Sequence, residues 1–362
     1  MDYFVDGAYL RAFGAAGGVS FFHEHIDPSK LKRLYLIRGA RGALSSQLLC
    51  GVRSRLRRNG LRAVRALSPR RPGGAQALLL PGTGIALTDA SYPDALEPRF
   101  PIAAETTVDT DPLVDRDTLR RLRSAVELAD AVLGKEERRL CRYLSAAEKI
   151  YADTAEVVSP CVDTEKIRRY AAGFAAREFP RKDGDGTVKH LFLSTPAYRR
   201  VDEASFADFP RRIAVEDAHG PAAERVFELL ADAATARGLD VFACRSPLLP
   251  TAKTDLLLVP AAGTAFFGVS GAAAPFPDAE RTIHTARFLD RTALSGHKNR
   301  LAFDKKTLRE LSRGAVETAE RICELQEVVD GFYLTAADLD GLNALAERIA
   351  DEICKFRFIA ER

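Results

Sequence analysis

An α/β fold of two tandem three-layer domains, each with a helical arm, is predicted by three observations. A short apolar strand, a glycine turn and a helix follow one another between Arg33 and Asn59. The same succession returns in the second half of the chain, and each copy leads into a charged tract with helical periodicity.

In the first copy Leu34, Tyr35, Leu36 and Ile37 form the strand, Gly39 and Gly42 the turn, and Leu48, Leu49, Val52 and Leu56 recur at helical spacing. The spacing predicts a helix that starts near Ser45 or Ser46. Arg33 to Gly42 is answered by Arg211 to Gly220, and the helices that follow end at Asn59-Gly60-Leu61 and Arg237-Gly238-Leu239, where a C-cap glycine belongs. Further on, Ala77 to Leu87 is answered by Leu256 to Phe266. The charged tracts span Asp115 to Phe179 and Asp304 to Phe358 and predict long antiparallel helices. Leu119, Leu122, Val126, Leu128 and Leu133 form the apolar stripe of the first; Leu308, Leu311, Val316, Ile322 and Leu325 form that of the second. The expected domains are 1–180, with an arm over 115–179, and 187–362, with an arm over 304–358. Pro180 to Gly186 is read as a solvated linker.

Laid over the phosphate-loop pattern G-x-x-x-x-G-K-[ST], Gly39 to Ser46 keeps the first glycine and the last serine. Leu44 stands for the second glycine and Ser45 for the lysine that neutralises phosphate charge. Gly39, Arg41, Gly42, Ser45 and Ser46 are therefore a vestigial nucleotide-binding set, and Leu44 lacks the backbone freedom that position needs. Asp89, at the end of the run Ile85 to Thr88, is the candidate that would hold Mg²⁺ together with Ser46. In the second copy Asp217 and Ala222 replace the glycines, Ala223 the lysine, Glu224 the hydroxyl residue and Gly268 the strand-end aspartate. Glu216, Asp217 and Glu224 suit a helix N-terminus and repel a phosphate there.

These residues resemble a bacterial family of tandem P-loop ATPase-like, nucleotide-kinase-like proteins over roughly 3–110 and 190–290. In that family the strand ends in Asp and is followed by a small residue and a Thr-Ala-Pro-His segment. Asp89, Pro93 and Glu97-Pro98 match, Asp94 stands for the histidine, and Pro277 and Asp278 match the tail of the second copy. The resemblance implies two P-loop NTPase-like folds of ATP-related ancestry. The expected function is a non-hydrolysing binding or scaffold module, a pseudo-ATPase with a protein partner. ATP and Mg²⁺ are allowed in the first copy only, where a weak ATPase or nucleotide kinase would use Arg41 for charge.

Between Pro28 and Thr88 no acidic residue occurs, whereas arginines are frequent. Arg53, Arg57, Arg58, Arg70 and Arg71 form a candidate polyanion face, which makes nucleic-acid binding the third functional class. The net charge of +3 makes this asymmetry local, and the same face equally suits pairing with the acidic C-terminal helices. The six cysteines are scattered without metal or disulfide spacing and are expected to be reduced. The N-terminus lacks signal-peptide character, and the uncharged stretch Leu256 to Pro277 reads as two buried strands and a turn. No membrane span and a cytoplasmic location are expected.

Overall fold

Arg33–Arg38 is buried over Leu34, Tyr35, Leu36 and Ile37, and a strand apolar on both faces belongs between parallel neighbours. A computed structural model of the chain places it there and describes residues 4–71, 73–91, 96–198, 206–269 and 279–360. In chain order the elements begin with β1 (Ala8–Tyr9), the hairpin β2 (Arg11–Ala12) and β3 (Val19–Ser20), α1 (Phe22–His25), β4 (Arg33–Arg38) and α2 (Ala43–Arg58). Then come β5 (Val64–Leu67), β6 (Ala75–Leu80), β7 (Ile85–Asp89), β8 (Glu105–Asp109), α3 (Arg116–Arg121), α4 (Arg123–Val158) and α5 (Thr164–Glu178). The second half runs β9 (Val188–Leu191), β10 (Arg211–Glu216), α6 (Pro221–Thr235), β11 (Val241–Ser246), β12 (Leu249–Val259), β13 (Thr264–Val269), β14 (Arg281–His284), α7 (Arg291–Ser295), α8 (Lys298–Thr335) and α9 (Leu339–Ala360).

The chain is mixed α/β with two six-stranded mixed sheets. The first has the order β1-β5-β6-β7-β4-β8, and the second, read in the corresponding sense, β9-β11-β12-β13-β10-β14. Directions coincide as well. β6 is antiparallel to β5 and β7, as β12 is to β11 and β13. The remaining pairs are parallel in both sheets. Both helices that leave the central strands end alike: Gly60 and Gly238 sit at φ 73° and 75°. The next amide donates five residues back in each case, Leu61 N–H to Leu56 C=O at 2.9 Å and Leu239 N–H to Ala234 C=O at 3.1 Å. These are the C-caps expected at those glycines.

Two compact units arise, and their boundaries depart from the expected 1–180 and 187–362. One comprises Met1–Leu10, Phe22–Glu136 and Arg321–Arg362, the other Arg11–Phe21 and Glu137–Glu320. The physical reason lies in the cores. Leu342, Ala346, Ile349, Ala350 and Ile353 of α9 bury against Leu44, Leu48, Val52 and Leu56 of α2 in the first unit. Ile167, Ala171, Phe174 and Ala175 of α5 join Val226, Phe227 and Leu230 of α6 over the second sheet. The last helix of each arm thus belongs to the sheet of the other half.

Within the second unit α4 and α8 run antiparallel. Thr154 donates to Asp304 at 3.1 Å at one level, and Tyr143 lies against Gly314 at another. Leu128 departs from the expected stripe and is 69% exposed, because it lies two positions from Val126 and so falls on the opposite side of the helix from Leu133. Pro180 to Gly186 is solvent-facing but is not a boundary: Lys182 N–H and Gly186 N–H donate to the Arg237 and Thr235 carbonyls at the end of α6. The uncharged stretch from Leu256 forms the end of β12, a turn at Pro260–Ala262 and β13 as far as Val269; its remainder lies outside the described residues. Among the described residues no helix is long and apolar enough to cross a membrane.

Candidate functional site: two strand-to-helix turns

The turn after β4 is shorter than the phosphate-loop frame requires. The helix α2 begins at Ala43, two or three residues before the expected start, and Gly42 at φ 77° is its N-cap. Leu44 is helical and fully buried, so it makes no left-handed turn, and Ser45 is buried beside it with no hydrogen-bond partner for Oγ. The left-handed region is instead used by Gly39 (φ 98°), Ala40 (φ 44°), Arg41 (φ 49°) and Gly42. Holding non-glycine residues there costs about 1–2 kcal/mol each, and three carboxylates and an arginine hold this loop. Asp111 Oδ1 accepts the Ala40 N–H at 3.1 Å. Arg41 pairs with Asp130 at 2.7 Å, and its carbonyl accepts from Arg71 Nη2 at 2.9 Å. Arg71 in turn forms a two-pronged pair with Asp330 at 2.6 and 3.0 Å.

The two glycines of the loop are required by these neighbours. A Cβ at Gly39 would lie 2.6 Å from Asp111 Oδ1, and one at Gly42 would overlap Asp89 Oδ2. Asp89 ends β7, in register with Ile37 of β4, which is the C-terminal sheet edge expected for it. Its Oδ1 accepts the Ser91 N–H at 3.0 Å. Ser46 lies in the first turns of α2, with its Oγ towards Gly74. Among the described residues no group of three or more His, Cys, Asp or Glu side chains could hold a metal ion.

A cleft of 410 Å³ opens at this loop, lined by its backbone and by Arg38, Arg41, Ser91, Glu97, Asp111 and Tyr333. Arg38, the last residue of β4, pairs with Glu97 at 3.0 Å and donates to the Leu96 carbonyl. Its Nε–H is buried without an acceptor. Burial pushes the Tyr333 phenol up, against the opposing pull of Arg41. Arg38, Asp111, Asp130, Asp330 and Tyr333 were not among the residues expected from sequence. Asp111 follows β8, which pairs directly with β4, and an acidic strand end beside the turn is the signal that could have found it.

The matching turn after β10 carries Asp217, His219 and Gly220 (φ 108°). Asp217 is 3% exposed, and its two oxygens accept the His219 and Ala223 N–H groups at 2.9 and 2.7 Å. Burial holds the His219 imidazole below its ordinary pKa, with Asp217 opposing. Glu224 accepts from Thr254 N–H at 2.6 Å and pairs with Arg245 at 3.2 Å, while Lys253 pairs with Asp255 at 2.7 Å. Burial works against the Lys253 ammonium, but Asp255 outweighs it and the pKa stands above its ordinary value. The Tyr151 hydroxyl is buried against Gly220 without a partner; burial, then Glu224 and Asp217, drive its pKa far up.

Two of the five arginines of the expected polyanion face, Arg53 and Arg71, are held in ion pairs inside the first unit. Arg53 pairs with Asp6 at 2.9 Å and Arg71 with Asp330. Arg55 and Arg33 pair with Glu347 and Glu352 of α9. Arg57 and Arg58 are exposed at the end of α2. Of the residues carrying the family resemblance, Asp89 and Glu97-Pro98 are described, whereas Pro93, Asp94, Pro277 and Asp278 lie outside the described residues.

Fold and site together define a mixed α/β protein in which both strand-to-helix turns are closed by the chain's own carboxylates. No family model, curated protein or solved structure matches the chain.

Proposed function

We propose that this chain is a non-hydrolysing binding module built from two copies of one P-loop NTPase-like unit, with both phosphate sites given up. The observation that carries the reading is the occupancy of the turn amides. In an active loop these N–H groups and the helix N-terminus face phosphate oxygens. Here Asp111 takes the Ala40 N–H, and Asp217 takes two N–H groups ahead of α6. A bound nucleotide would have to displace a carboxylate at each site and then lie beside Asp89 or Glu224. The duplication is supported by the common strand order and directions of the two sheets.

The absence of a lysine from either loop points the same way, since loss of such a preorganised charge costs on the order of 3 kcal/mol in a phosphoryl-transfer transition state. Rebuilding the motif with Leu44→Gly and Ser45→Lys would bury a lysine in the α2 core, so the wild-type chain is the informative sample. Titration calorimetry with Mg·ATP is expected to show no saturable heat, and phosphate release is expected at the level of a blank. Micromolar affinity for Mg·ATP, lost in Asp89→Ala, would overturn the proposal.

A further inference from the structure

The cleft at the first turn has a lining that is balanced in charge rather than cationic. Arg38 and Arg41 face Glu97 and Asp111, with Ser91 and Tyr333 as neutral hydrogen-bonding groups. A polyphosphate brings several negative charges and would meet both of these carboxylates in a site where Arg41 is already paired with Asp130. A small ligand with one positive and one negative end meets no such opposition. The volume of 410 Å³ falls within the range of sites for small molecules.

The donor for the negative end is identifiable. Arg38 Nε–H is buried with no acceptor, and a guanidinium edge of this kind suits a carboxylate. Besides the Leu96 carbonyl its present partner is Glu97, 80% exposed on the side chain, and an exposed pair is held weakly and exchanges easily. A ligand carboxylate can take the Arg38 edge while Glu97, freed from it, and Asp111 face the ligand's ammonium. The strained loop residues Ala40 and Arg41 are part of the lining, and such outliers collect at ligand sites.

We infer that the cleft binds a small zwitterion of the α-amino acid type, its carboxylate on Arg38 and its ammonium between Glu97 and Asp111. The inference rests on the reading that this loop has abandoned phosphate. It names what a binding module of this shape would hold.

The purified chain is titrated by calorimetry with the twenty L-amino acids, and with propionate, propylamine, inorganic phosphate and Mg·ATP as separate probes. Saturable binding is expected for at least one amino acid, at least tenfold tighter than for propionate or propylamine. Arg38→Gln is expected to weaken it tenfold or more. Glu97→Gln, at an exposed position where folding is not at stake, separates the alternatives: it weakens a zwitterion several-fold, but it tightens a plain anion by removing a competing carboxylate. Tighter binding in Glu97→Gln, phosphate or propionate binding as well as the amino acids, or no amino acid bound at millimolar concentration each overturns the inference. Binding of Mg·ATP at micromolar concentration would instead overturn the abandoned-phosphate reading, so the two failures are distinct.

Discussion

Replacing Asp217 by alanine tests whether an internal carboxylate closes the second turn. Its two oxygens accept the His219 and Ala223 amides at 2.9 and 2.7 Å from a position that is 3% exposed. Loss of a capping acceptor costs about 1–2 kcal/mol, and a buried donor left without a partner costs about 1–3 kcal/mol. The two terms overlap, because the amides concerned are the same, and a total of about 2–4 kcal/mol is expected. For a domain of this size each kcal/mol moves the midpoint by about 2–4 °C, so scanning calorimetry should show the second unit melting about 4–16 °C lower. Asp217→Asn keeps an oxygen for one amide and should fall between. Hydrogen exchange gives the local readout: the Ala223 and His219 amides should lose protection before the sheet does. A change below about 0.5 kcal/mol in Asp217→Ala, with the protection of those amides intact, would refute the closure argument.

Two further outcomes follow from buried groups. Arg71→Met leaves Asp330 without its counter-charge, with the Gln326 amide still donating to it, and leaves the Arg41 carbonyl without the Arg71 donor, at partners only 16% and 14% exposed; it should destabilise the first unit by about 2–4 kcal/mol in chemical denaturation, and adding Asp330→Leu should recover most of that loss. Tyr151 has a folded pKa raised above its ordinary value of 10.0 by burial and neighbouring carboxylates, so its contribution is complete below pH 10 and is lost as pH rises beyond it. Tyr151→Phe should therefore leave stability at pH 7 unchanged or slightly higher, since the hydroxyl has no partner, and should shift the alkaline unfolding limb upward.

What the sequence made legible was local. The strand from Arg33, the turn glycines, the C-caps at Gly60 and Gly238 and the strand-end place of Asp89 each depend on a few neighbouring residues. The eight-residue motif frame sets the start of α2 too late: Leu44, Leu48, Val52 and Leu56 stand at steps of four, and that stripe already includes Leu44 in the helix. Propensity also argued against placing Ala40 and Arg41 in the left-handed region, where Asp111 and Arg71 now hold them. The pairing of α9 with α2, and of α5 with α6, joins segments far apart in the chain, and no local signal records it. The same distance hid Asp130, Asp330 and Tyr333 from the site, since each lies on an arm helix. The acidic partners of the arginine run were anticipated in kind, and α9 supplies two of them.

The two turns hold matching places in their sheets, differ in backbone path, and carry opposite charge at the last strand residue. Arg38 ends β4 in register with Asp109 of β8, and at the matching place Glu216 ends β10 in register with His284 of β14, to which it is hydrogen-bonded. Arg41 of the first turn corresponds to His219 of the second, whose imidazole burial favours in the neutral form. Gly42 and Gly220 nevertheless both remain at positive φ, and both are pressed by a neighbour, Asp89 in one case and Tyr151 in the other. A catalytic device that served the same reaction twice would need the same charges at matched atoms, because transition-state stabilisation depends on the sign and place of each group. A binding frame needs only a rigid turn at a sheet edge, and its lining is free to diverge. The sign reversal at Arg38 and Glu216 therefore argues against one ligand shared by both turns: a ligand that engages Arg38 by its carboxylate has no corresponding place beside Glu216.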